Sequence, residues 1–117
     1  MIFDVNPGQA EDRINELRAE FPAATIYSKM VNITDDSAVR HAILETATLL
    51  GSIDILLCFA GVVGCIHAVD MTGIEFKRVL DINTTGSFLC AQAVAKEMIK
   101  QGKSILATTA AFKNYEN

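Results

Sequence analysis

Residues Ile53 to Phe59 form an apolar run, broken only by Asp54, that stops at Ala60-Gly61. A strand buried on both faces is written as a near-continuous hydrophobic run. In a parallel sheet the carboxyl end of such a strand opens on a ligand crevice. The segments on either side of it read as helices and strands in alternation. The end of this strand is therefore the candidate centre of the chain.

Before it, Met1–Val5 is a short apolar strand with Asp4 near its end. Asn6-Pro7-Gly8-Gln9 reads as a helix start: Asn6 as cap, Pro7 in the first position, Gln9 placed to reach back. Ala10, Ile14, Leu17 and Phe21 follow at helical spacing, and Pro22 ends the helix. Ala24–Val31 is β-favouring. Thr34 or Asp35 caps a second helix, with Val39, Ala42, Ile43, Ala47 and Leu50 on one face and Gly51 at its end.

After it, residues 61–70 read as a loop containing His67, which is more readily solvated than catalytic. Thr72 caps a helix to about Asp81 with Phe76, Val79 and Leu80 inward. Gly86–Lys100 is a longer helix whose stripe holds Phe88, Ala91, Val94, Ala95, Met98 and Ile99. Ser104–Thr109 is a fourth strand. The order β-α-β-α-β-α-α-β predicts an α/β protein with a parallel sheet, helices on both faces and three α/β/α layers.

Bulk properties narrow the function. The 117 residues suggest one domain, 1–117. The net charge of −4 is spread out and offers no basic face for nucleic acid. No apolar run approaches the roughly 20 residues of a membrane span. The first residues lack the pattern of a signal peptide. Cys58, Cys65 and Cys90 have no metal or redox spacing, so buried, reduced thiols in a cytoplasmic protein are expected.

The strand ends carry a more specific pattern. Asp4 follows Ile2-Phe3, Asn32-Ile33-Thr34-Asp35 follows the second strand, and Ile53-Asp54-Ile55-Leu56 leads to Ala60-Gly61. Asn83 has Gly86 three residues on, and Gly102-Lys103-Ser104-Ile105-Leu106 comes last. In this order and at these intervals the chain resembles the short-chain dehydrogenase/reductase family, over essentially its whole length. The family's members are Rossmann-fold oxidoreductases that use NAD or NADP. The Phe59-Ala60-Gly61 variant is most similar to sugar- or polyol-type members.

The resemblance implies roles. Asp4 matches the acid that binds the adenosine ribose hydroxyls; it favours NAD, because a carboxylate repels the extra phosphate of NADP. Asn32 matches the position that contacts adenine, and Ile33 would lie against the base. Ala60 and Gly61 match the strand end beside the cofactor ribose. Cys58 replaces the first Asn of the family's Asn-Asn-Ala-Gly, an amide that ties the central strand to its neighbours. Asn83 matches the Asn that holds a water in the proton relay. The 86–100 helix matches one that the family uses for oligomer packing.

The departures are as informative. The sequence contains no Thr-Gly-x-x-x-Gly-x-Gly turn to cradle a pyrophosphate on backbone N–H groups. The catalytic Ser position falls on Ala110, with Thr109 the alternative if the register slips by one. No Tyr-x-x-x-Lys pair is present, and Tyr115 has no Lys four residues on. A partial doubly wound sheet is expected, lacking the family's first strand and C-terminal part. That first strand is central in the order 3-2-1-4-5-6, so its absence separates the pair at 2–5 and 25–31 from the pair at 53–59 and 104–109.

Three expectations follow. The first is a fragment of an NAD-type oxidoreductase acting on a secondary alcohol or ketone, inactive as it stands, with NAD bound weakly. The second is a non-catalytic protein that pairs with a full-length homologue through the 86–100 helix. The third is a truncated gene model or a pseudogene product, with no function.

Overall fold

The structure, a computed structural model, describes residues 1–102 and 107–109, with backbone alone at 107–109 and at Pro7, Gln9 and Ala10. Its elements are β1 (Ile2–Asp4), α1 (Pro7–Glu20), β2 (Ser28–Met30), α2 (Asp36–Leu50), β3 (Leu56–Cys58), α3 (Gly73–Leu80), a π-helical turn (Asp81–Gly86), α4 (Ser87–Lys100) and β4 (Ala107–Thr109). The fold is a partial Rossmann-type α/β arrangement. Among the described residues the strands form two parallel pairs, β1-β2 and β3-β4. The chain divides into two compact units, Met1–Asn32 and Ile33–Asn117.

In the first unit, β1 and β2 run in register from Ile2 opposite Ser28 to Asp4 opposite Met30. The pairing continues past β2 through Val31 N–H, which donates to the Asp4 carbonyl at 2.9 Å. Pro7 opens α1 with its fixed φ. Asn6 is extended at the cap position, but its side chain makes no capping bond. Instead its own N–H donates to Asp4 Oδ1 at 2.7 Å, which holds the chain in a tight bend. Ile14 is buried, and such burial stabilises by about 2 kcal/mol. Phe21 is exposed, against expectation. The chain turns there, with Ala24 N–H donating to the Phe21 carbonyl, so the last position of the stripe leaves the helix.

In the second unit, α2 and α4 pack together. Asp35, not Thr34, caps α2: its Oδ1 accepts from the N–H of Ser37 at 2.9 Å and of Ala38 at 3.1 Å. Gly51 closes the helix with φ 80°, a left-handed conformation that suits a residue without a β-carbon. Val39, Ala42, Ile43 and Thr46 are buried. The hydroxyl of Thr46 donates to the Ala42 carbonyl at 2.8 Å, which satisfies it inside the core. Leu50 is exposed rather than inward.

The buried stripe of α4 is Cys90, Ala93, Val94 and Met98. These are the i, i+3, i+4 and i+8 positions of one helix face. Phe88 and Ile99 fall outside it and are exposed. The apolar set expected from sequence was too broad, because only the part facing α2 and β3 finds partners. Phe76 and Leu80 on α3 are exposed for the same reason, and α3 has no buried residue. Thr72 and Glu75 form a complete capping box: the Thr72 hydroxyl accepts from Glu75 N–H, and the Glu75 carboxylate accepts from Thr72 N–H at 3.0 Å.

Candidate cofactor site

The residues proposed from sequence fall at strand ends and on the turn before α4. In the first unit, Asp4 closes β1 and Asn32 lies just beyond Val31, whose N–H is bonded to the Asp4 carbonyl. Both Asp4 and Asn32 are exposed. The Asp4 carboxylate is fixed by the Asn6 N–H, so it stands preorganised at the strand's carboxyl end.

In the second unit, β3 ends at Cys58, and Ala60 and Gly61 follow, both exposed. Asn83 lies across from them on the π-helical turn. Its amide makes two bonds to one residue. Asn83 Oδ1 accepts from Val62 N–H at 2.8 Å, and Asn83 Nδ2 donates to the Val62 carbonyl at 2.9 Å. The loop after β3 is thereby tied to the helix. Gly61 permits this approach, since a β-carbon there would lie 3.3 Å from Asn83 Oδ1. The absence of a side chain at 61 serves Asn83 directly, a role that the sequence had connected only with cofactor approach.

The π turn is a further feature that sequence reasoning missed. The sequence predicts two helices with a break between them. The chain instead runs helical from Gly73 to Lys100 through Asp81–Gly86. Such turns widen the helix by one residue and occur disproportionately at functional sites. Here the turn carries Asn83 and ends on Gly86, which is buried. Ile33, half-buried, packs on Gly86. Ile33, Gly61, Asn83 and Gly86 are thus linked around one turn. The signal available in sequence was the interval from Asn83 to Gly86.

Other candidates lie apart or beyond description. Cys58 pairs in register with Thr109, so Thr109 lies at the carboxyl end of β4 beside the end of β3. The side chain of Thr109, the Ala110 position and Tyr115 lie outside the described residues. His67 is exposed, and its carbonyl accepts from Asp70 and Met71 N–H in a loop turn. All three cysteines are free. Burial raises the Cys58 thiol, and burial together with the neighbouring Cys58 pushes Cys90 up to about 11. Both are poor nucleophiles. Among the described residues no cluster of His, Cys, Asp and Glu could hold a metal ion. No helix among them is long and apolar enough to cross a membrane.

Parallel strand pairs whose strands alternate with helices define a partial Rossmann-type α/β arrangement. The family model described as enoyl-(acyl carrier protein) reductase matches residues 1–115. The chain belongs to the short-chain dehydrogenase/reductase family. It is 32% identical over 102 residues to a 2-dehydro-3-deoxy-L-rhamnonate dehydrogenase (NAD(+)) of a Sphingomonas species, a match that covers 86% of this chain and 39% of the relative. A short-chain type dehydrogenase/reductase from Mycobacterium marinum superposes with a TM-score of 0.85 at 30% identity, covering 92% of this chain and 42% of that one. An NAD+-bound xylitol dehydrogenase superposes with a TM-score of 0.84 at 28% identity, covering 92% and 40%. The chain spans about two fifths of the length of these relatives.

Proposed function

We propose that residues 1–117 are the part of an NAD-dependent short-chain dehydrogenase that receives the adenosine and the nicotinamide-side ribose of the cofactor. Asp4 would accept hydrogen bonds from the adenosine ribose hydroxyls and disfavour NADP. Asn32 would meet the adenine edge with an amide that both donates and accepts. Ile33 would lie against the base. Ala60 and Gly61 would pass beside the second ribose. Asn83 would hold a water of the proton relay, and Thr109 is the remaining candidate for a hydroxyl at the reacting carbon. The complete enzyme would move a hydride between nicotinamide and a secondary alcohol or ketone.

The observation that carries this proposal is the clamp of Asn83 on Val62, one residue beyond Gly61. It holds the strand end and the relay residue as one fixed piece, the preorganisation that a cofactor ribose and an ordered water both need. The names of relatives support the chemistry: a sugar-acid dehydrogenase that uses NAD(+) and an NAD+-bound polyol dehydrogenase. A polyol or sugar-type substrate follows as the finer proposal. Three free thiols accord with a reducing, cytoplasmic setting.

These 117 residues hold no glycine-rich phosphate turn and no Tyr-x-x-x-Lys. The expected behaviour of this stretch is therefore no turnover, with NAD bound no tighter than the millimolar range, about −4 kcal/mol. Calorimetry with NAD and an NADH oxidation assay over a panel of ketones and ketoses test it. A micromolar dissociation constant, or turnover above a protein-free blank, overturns that expectation. One observation favours a second assignment, a non-catalytic partner of a full-length homologue: Phe88 and Ile99 on α4 are 59% and 65% exposed. Light scattering with and without the homologue separates the two.

A further inference from the structure

Gly86 has ordinary right-handed helical angles, φ −61° and ψ −44°. The backbone there makes no demand for glycine. The demand comes from Ile33. A β-carbon at 86 would lie 2.6 Å from both Cγ1 and Cδ1 of Ile33, and 3.3 Å from its Cβ. A separation of 2.6 Å is far inside the contact distance of two carbons. Ile33 is β-branched and stiff about its first torsion, so it has little freedom to swing aside. The other end of the same turn is fixed by the Asn83 amide on Val62. One short helical turn therefore seats Ile33 and anchors the loop after β3.

We propose that Gly86 is a positioning residue for an adenine nucleotide: the space left by its missing side chain seats Ile33 against the π turn and so fixes the apolar wall on which the base rests. The proposal rests on the assignment of Ile33 to the adenine contact made above. Dispersion contacts fall off within an ångström, so a base gains from such a wall only where the wall is held still. Alanine at 86 would move the side chain of Ile33 without touching the ligand itself.

The test uses Gly86→Ala, Ile33→Ala and the double variant, with AMP as the probe. The readouts are the Ile33 Cδ1 methyl resonance, the melting temperature and an AMP titration followed by NMR. In Gly86→Ala the Ile33 methyl resonance shifts, the melting temperature falls, and AMP binds about tenfold more weakly. Ile33→Ala removes the two atoms nearest to a new β-carbon, Cγ1 and Cδ1, so the double variant melts above Gly86→Ala. An unmoved methyl with unchanged AMP affinity overturns the proposal. If Gly86→Ala does not fold, the double variant decides: folded, it upholds the seating of Ile33; unfolded, it overturns it. No AMP response in the wild-type chain overturns the cofactor assignment, and with it the ligand named here. A wild-type response kept intact in Gly86→Ala overturns this proposal alone.

Discussion

Asn83 satisfies both backbone polar groups of Val62 with a single side chain, its Oδ1 taking the N–H at 2.8 Å and its Nδ2 giving to the carbonyl at 2.9 Å. Val62 lies in a loop, and among the described residues these groups have no strand partner, so the amide stands in for a piece of secondary structure. Each such bond contributes about 0.5–1.5 kcal/mol net. Asn83→Ala should therefore cost about 1–2 kcal/mol in denaturant unfolding. It should also speed hydrogen exchange at the Val62 amide. An amide at 62 that exchanges no faster in the variant would mean that the loop is held by something else.

The architecture was legible in sequence because the chain obeys two periods. The alternation of apolar runs with helical stripes gave the β/α order, and Thr72, Asp35 and Gly51 marked helix ends by their own chemistry. Which apolar residues are buried was less legible. A stripe shows what a helix could cover, not what is present to cover it, so Phe76, Phe88 and Ile99 were placed inward and stand exposed. The π turn left no mark beyond the interval from Asn83 to Gly86, since one extra residue in a helix changes no residue type. The link from Gly61 to Asn83 depends on a contact 22 residues apart in the chain, and no local pattern encodes it.

The packing of α2 on α4 yields a contrast between two apolar residues of one helix. Met98 is fully buried, whereas Phe88 is 59% exposed. Met98→Ala should cost about 2–5 kcal/mol, through lost transfer energy and the cavity left behind. Phe88→Ala should stay within about 0.5 kcal/mol. Urea unfolding of both variants checks the ranking. Equal effects would mean that α4 presents a different face in solution.

The helix caps give the chain an acid limit. Hydrogen bonds from Ala38 N–H, the Ser37 hydroxyl and Ser37 N–H hold the Asp35 carboxyl below its usual 3.8, and the Thr72 hydroxyl and N–H hold Glu75 below its usual 4.5. For a group whose folded value is depressed, stability is complete above the unfolded value and is lost as pH falls through the folded one. The caps of α2 and α3 should thus hold at pH 5 and above, and weaken progressively below those usual values. Circular dichroism against pH measures this. Asp35→Asn keeps a good capping residue but removes the titration, so its helicity should depend less on acid. A variant as acid-sensitive as the parent would remove Asp35 from the account.

Thiol chemistry should separate the three cysteines by environment. Cys65 is exposed, Cys58 is half-buried and Cys90 is buried with its thiol pushed up to about 11. Alkylation proceeds through the thiolate and needs access. Iodoacetamide at pH 8 should label Cys65 first and reach Cys90 only after denaturant is added. Mass mapping of the labelled peptides gives the order. Labelling of Cys90 at the rate of Cys65 would show that α4 opens readily from its core.

The last consequence concerns the strand from which the fold is organised. Leu56 and Cys58 are half-buried, whereas their neighbours Ile55 and Leu57 are 61% and 53% exposed. Parallel strands are normally covered on both faces, and their unpaired edges invite association. Among the described residues β3 is paired only with β4. One face of β3 is therefore apolar and wet. The chain should bind a hydrophobic dye and self-associate as its concentration rises. Leu57→Lys places a charge on that face without entering the core of α2 and α4, and should lower both dye binding and association. Light scattering across a concentration series measures the effect. A lysine variant that associates as strongly as the parent would locate the sticky surface elsewhere, with exposed Phe88 and Ile99 on α4 the next candidates.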